Sequence, residues 1–212
     1  MSAFELITDG PVNATGVASQ AAPNGLILDQ TNNVVSSVGK SAQSQALRTA
    51  IAVIPAQPVL DAITVAQALF TQELAGYFLN QRGRTLEVSG FGVFTTPAGT
   101  PTVTIALSLG GVALCSITTA ATAGAGANIP FQFEFTLSTA STGAAGTIES
   151  HGTLSIGITA AAAAALAEYG DTNTAVSAAV NLTEELALEV SIAGSTTITS
   201  AQLRLATIEV VA

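Results

Sequence analysis

Between residues 84 and 212 apolar side chains fall at every second position in one segment after another. That period of two decides most of what the chain can fold into. The clearest case begins at Phe131. Phe131, Phe133, Phe135 and Leu137 alternate with Gln132, Glu134, Thr136 and Ser138, a run of small residues follows, and alternation resumes across 147–159. Successive side chains of a strand point to opposite faces, so this pattern predicts a half-buried β-hairpin.

The same reading extends in both directions. Leu86 and Val88 oppose Glu87 and Ser89. Val103, Ile105, Leu107 and Leu109 alternate up to Gly110-Gly111, a hairpin turn into "VALCSITT". Further strands are expected at 174–182, 186–194 and 197–211, with Glu184 and Glu185 marking a turn. This makes about eight strands after residue 84 and no amphipathic helix between them, which excludes βαβ units. The expected fold is all-β: an antiparallel β-sandwich, most simply a jelly roll. "AAAAALAEYGD" (161–171) has helix propensity but sits among strands, and is expected to be a long loop with at most one helical turn.

Two stretches before residue 84 read differently. "IAVIPAQPVL" (51–60) is a strand interrupted by Pro55 and Pro58, which places it at a sheet edge or at the start of the domain. In 63–84, Leu69, Phe70, Leu74, Tyr77 and Phe78 would line one face of a helix, while the threonines and Gly76 also permit two short strands. Residues 1–50 are rich in Gly, Pro, Asn, Ser and Gln, with apolar islands at Leu26–Leu28 and at Val34 and Val35. Such a segment cannot bury enough surface to offset about 1–2 kcal/mol of backbone entropy per residue. It is expected to be an extended N-terminal arm (1–50) that lies on a partner, preceding a β-sandwich domain (51–212).

Composition narrows the partners. Only 9% of the residues are charged, against roughly 25% in soluble domains. The surface is therefore built from Thr, Ser, Ala, Gly, Asn and Gln, and other subunits are expected to cover part of it. The formal charge is −9, with Lys40, Arg48, Arg82, Arg84 and Arg204 as the only cations. Nucleic acid and anionic membranes are excluded as expected partners, because phosphate binding needs clustered basic residues. Cys115 is alone, which favours a reducing compartment. "MSAFELITDG" lacks the basic and apolar regions of a secretory signal, and "ITAAAAAALA" (158–167) is too short to span a bilayer. The expectation is a soluble protein made in the cytoplasm.

No catalytic constellation emerges. His151, the only histidine, lies in an alternating strand where it shares a face with Glu149, opposite Ile148 and Ser150. An exposed strand pair accounts for it, and two ligands fall short of a zinc site. Cys115 sits in an apolar strand and reads as a small buried hydrophobe. Glu134 and Glu149, on strands expected to pair, could lie close together as glycosidase carboxylates do. The chain has no Trp and two Tyr, however, and so lacks a sugar-stacking platform. "GFG" and "GAG" read as turn glycines rather than phosphate loops. Neither enzymatic activity, cofactor nor metal is expected.

The stretch 79–111, "LNQRGRTLEVSGFGVFTTPAGTPTVTIALSLGG", resembles β-sandwich structural proteins of tailed bacteriophages. Gly83, Arg84 and Leu86 open a strand, Gly90 and Phe94 follow, and "TPTVTIALSLGG" makes the next strand and turn. "STGAAGTIESHG" (141–152) is similar to a later hairpin of that pattern. The resemblance covers roughly residues 66–212. It implies strands rather than a helix in 66–79, and a homotrimeric jelly roll on the virion surface, of the capsid decoration (cement) or fibre type, made in the host cytoplasm. The implied partners are other copies of the chain and the major capsid protein. The competing class is a tail-fibre, receptor-binding or carbohydrate-binding module, which should expose aromatics in loops. Here the aromatics fall mostly on strands or in 70–78, with Tyr169 the exception. That distribution favours the decoration role.

Overall fold

A computed structural model describes residues 26–28, 34–37, 48–97, 101–120, 126–157, 166–170 and 176–211. The described residues form strands and no helix, in two units, 1–47 and 48–212. In the first unit the apolar islands pair with each other: β1 (Leu26–Leu28) runs antiparallel to β2 (Val34–Ser37), with Leu26 opposite Ser37. The rest of the expected arm before residue 48 lies outside the described residues.

The second unit is built by nested pairing. At its centre β7 (Val103–Leu109) and β8 (Val112–Thr118) form a hairpin. Both glycines of its turn have positive φ, 56° at Gly110 and 78° at Gly111, a left-handed pair that other residues adopt only at a cost. Outside it, β6 (Thr85–Thr96) pairs with β9 (Gly126–Ser141), β5 (Gln67–Leu74) with β12 (Leu186–Gly194), and β4 (Leu60–Ile63) with β13 (Ile198–Val211). This long double ribbon then rolls, so that β13 also pairs β6 and β12 also pairs β7. The products are the orders β4-β13-β6-β9 and β5-β12-β7-β8, which is jelly-roll topology. Three strands enlarge the first sheet to seven: β3 (Arg48–Ile54) along β13, and β10 (Thr147–Gly157) then β11 (Leu166–Gly170) beyond β9.

Each sheet is apolar on one face, and the two faces close on each other. Leu86, Val88 and Phe94 of β6 meet Leu107, Val190 and Ile192 in one core cluster in which each is at most 1% exposed. The Phe131, Phe133 and Phe135 rings of β9 line up in a row with centroid spacings of 6.4 Å (stacked) and 5.6 Å (tilted), extended by Phe94, tilted at 6.1 Å from Phe131. Each of the three lies across the ladder from a glycine: Phe131 from Gly92, Phe133 from Gly90, Phe135 from Gly152. A Cβ on Gly90 would stand 2.6 Å from Cζ of Phe133. Gly90 and Gly92, expected as turn glycines, are therefore mid-strand residues that vacate room for rings; of "GAG", Gly126 opens β9 and Gly124 lies outside the described residues.

The prolines act as expected. Pro55 and Pro58 separate β3 from β4, and both strands lie along the same edge of β13, at residues 206–211 and 198–201. The gap is tied down by Gln57 N–H donating to the Leu203 carbonyl (3.0 Å) and Gln202 Nε2 donating to the Gln57 carbonyl (2.9 Å). Segment 67–74 is a strand, and a bulge opposite Val190/Ser191 turns both Leu69 and Phe70 inward. Tyr77 does not share a face with them. It sits in the following turn at φ 64°, 67% exposed.

Two other expectations need correction. The end of 161–171 is a strand, β11, in which Tyr169 packs half-buried against the core rather than in an exposed loop; residues 161–165 and Asp171 lie outside the described residues. Among the described residues of 174–182 there is no strand, only isolated bridges from Val176 to Glu149 and from Val180 to Gly146. Ser177 lies between the two bridges. Its hydroxyl accepts from Ile148 N–H (3.0 Å), so a side chain does part of the work a ladder would do.

Candidate functional site

The residues flagged by chemistry are dispersed. Glu149 and His151 point outward from β10 opposite Ser138 and Thr136, both exposed, as the alternation required. Cys115 is buried in β8. Glu134 pairs with Thr153 and Glu149 with Ser138, four rungs apart on the same ladder. That is about 14 Å along the strand, too far for paired carboxylates. Among the described residues no three His, Cys, Asp or Glu side chains gather as metal ligands, and no helix is long and apolar enough to cross a membrane.

Residues 78–84 and the hairpin at 141–147 build a corner. Arg84 lies over the Phe78 ring, 5.1 Å from its centroid, and donates from Nη1 to the Phe78 carbonyl (2.9 Å). Gly83 N–H donates to the Thr139 carbonyl (2.8 Å), and Thr139 Oγ1 donates to the Leu79 carbonyl (2.8 Å). From the 141–147 hairpin, Gly143 N–H donates to Asn80 Oδ1 (2.6 Å), while a Cβ on Gly146 would strike Leu182. These groups bond one another, so this cluster holds loops together rather than presenting a reactive group.

What remains to act on a partner is the pair of outward faces. The four-stranded sheet presents rows of small side chains. One row reads Ala68, Ser191, Ala106 and Ser116 across β5, β12, β7 and β8. Beside it lie Ala193, Thr104 and Thr118, the last two hydroxyls bonded at 2.8 Å. Glu189 and Glu73 are the charged side chains on its outward positions, and no aromatic or cationic residue occurs there.

The seven-stranded sheet is different. Leu205, Phe91, Gln132, Ser155 and Glu168 form one continuous row across β13, β6, β9, β10 and β11. Phe91 is 49% exposed and stands between two depressions. The larger, about 510 Å³, runs over Gln132, Glu134, Thr153, Ser155 and Glu168. The smaller, about 100 Å³, lies toward Leu205 and Thr207. No stacking platform is expected from a chain without Trp, yet Phe91 is an exposed ring on this face. The signal was present: Glu87 and Ser89 face outward, and a period of two puts Phe91 with them. Comparison with protein-family models, with curated proteins and with solved structures found no match to this chain.

Proposed function

We propose that the chain is a structural virion protein of the capsid decoration (cement) type, which assembles as a homotrimer on the outer capsid surface and stabilises the head. The observation that carries this reading is the outward face of the four-stranded sheet. Ser191, Ala106 and Ser116 leave it low and nearly uncharged. A solvated sheet face ordinarily carries several Lys, Arg and Glu; this one has no cation and only Glu73 and Glu189 as outward charges, which suits it to contact between copies. The sequence resemblance over 79–111 and the dispersal of His151, Cys115 and the carboxylates support the same reading.

Sedimentation at micromolar concentration should give a trimer; a stable monomer would sink the proposal. Attachment is assigned to the N-terminal arm expected over residues 1–50. Removal of residues 2–45 should leave the sandwich folded, since its pairing begins at Arg48, yet weaken co-sedimentation with capsids stripped of the protein. Labelling of purified virions separates the competing class: copies over the whole head fit decoration, and copies at the tail fit a fibre or carbohydrate-binding module.

A further inference from the structure

We infer that the outward face of the seven-stranded sheet around Phe91 is a binding site for a neutral oligosaccharide. The inference does not depend on where in a particle the chain sits. It begins with a ring that is poorly placed for stability alone. Phe91 lies on β6, with β13 on one side and β9 on the other, and its neighbours Gly90 and Gly92 give their inward space to Phe133 and Phe131. The Phe91 side chain projects to solvent with a depression on either side. A flat apolar ring open to its surroundings is a platform for the C–H face of a pyranose.

The lining of the larger depression selects the chemistry. Gln132, Glu134, Thr153, Ser155 and Glu168 supply carboxylate, amide and hydroxyl oxygens, and no Lys, Arg or His lines it. A phosphate or sulfate would meet two carboxylates and no counter-charge. A ligand rich in hydroxyl donors would instead form charge-assisted hydrogen bonds to Glu134 and Glu168. A peptide strand is disfavoured, because β6, β9 and β10 are paired on both sides over this region and offer no free backbone edge. From Phe91 to Glu168 the row crosses three strand spacings, about 14 Å, which suits a short oligosaccharide better than a single sugar. The volume of about 510 Å³ lies within the usual size of ligand pockets, roughly 300–1,000 Å³.

The test is titration of the full chain, by calorimetry and by NMR, with neutral hexasaccharides of glucose, mannose, xylose and N-acetylglucosamine, and with heparin as the anionic counterpart. At least one neutral hexasaccharide should bind, with a dissociation constant on the order of 0.1 mM or tighter. Phe91→Ala should weaken that binding by about tenfold or more, Glu168→Gln should weaken it less, and Phe91→Tyr should retain it. All three variants should unfold near the wild-type temperature, since both positions are exposed. Failure of every neutral hexasaccharide, binding of heparin alone, or binding unaffected by Phe91→Ala would each overturn the assignment. So would a change of oligomeric state in Phe91→Ala without glycan binding, which would make this face a contact between copies.

Discussion

The two outward faces of the sandwich stand on the same core and obey the same alternation, yet one is levelled and the other sculpted. On the four-stranded sheet the outward row Ala68, Ser191, Ala106, Ser116 keeps side chains short. On the seven-stranded sheet the row Leu205, Phe91, Gln132, Ser155, Glu168 rises to a ring and falls into a depression. The inward positions do not explain the difference, because they are predominantly apolar in both sheets, with Thr96, Thr139 and Ser150 as the buried polar positions of the seven-stranded one. The fold therefore constrains only half of each strand, and the other half is free to record function. A level face of small groups suits a second protein surface, whereas a ring beside a polar hollow suits a small ligand.

The largest expected effect tests the premise that both faces rest on one core. Phe133 is fully buried between Phe131 and Phe135. Phe133→Ala should cost about 3–5 kcal/mol in unfolding free energy, the usual range for a buried Phe. Chemical denaturation would read it, and a loss below 1 kcal/mol, far beneath that range, would mean that the ring row is not central.

Next in size is a substitution on the level face. Ala106 lies between Ser191 and Ser116 at the middle of the four-stranded sheet. If that face joins copies, Ala106→Lys puts a long charged side chain into the contact. The oligomer dissociation constant should rise by about a hundredfold, or roughly 2.7 kcal/mol. Sedimentation equilibrium reads this directly. A matched lysine at Gln132 on the sculpted face should leave the oligomer intact, and reversal of the two outcomes would exchange the roles given to the faces.

A smaller effect probes how the sculpted face is carried. Gly90→Ala would place a methyl group 2.6 Å from Cζ of Phe133 and 3.0 Å from the Leu205 carbonyl oxygen. Overpacking of this kind should cost about 1–3 kcal/mol. Phe133→Leu in the same chain should recover part of that loss, so that the double variant is less destabilised than the sum of the singles. Strict additivity would show that the glycine and the ring do not interlock.

The legibility of the fold follows from the range over which each determinant acts. Alternation is local, so β6 to β10, β12 and β13 could be read from a few residues each, as could the Gly110-Gly111 turn. β11 hides at the end of an alanine-rich run, and its five residues, Leu166–Gly170, are too few to show alternation. The nested topology brings Leu60 to Ala201 and Thr85 to Val211, pairings that no local window contains. The Gly90–Phe133 interlock depends on register between strands, and so "GFG" read alone looked like a turn. Phe91 was half legible: its direction follows from Glu87 and Ser89, but the depressions need five strands in register. Glu134 and Glu149 illustrate the same limit, since the hairpin was evident while its four-rung offset was not.

The smallest expected effect is the most exacting test of that register. Glu134 occupies the outward position next to Phe133, exposed, between Ser89 and Thr153. Glu134→Ala should change the unfolding free energy by no more than about 0.5 kcal/mol, as surface substitutions do. The value gains meaning beside Phe133→Ala, one residue away. A slip of one position in β9 would turn Phe131, Phe133 and Phe135 outward and Gln132 and Glu134 inward, because strand side chains alternate with a period of two. The two measured losses would then change places. A large loss at Glu134 with a small one at Phe133 would thus remove the ring row from the core and the carboxylate from the depression together, and the contrast between the two faces would disappear with them. A small loss at Glu134 combined with weakened hexasaccharide binding would place this carboxylate in contact with the ligand, on a face where it contributes nothing to holding the sheet together.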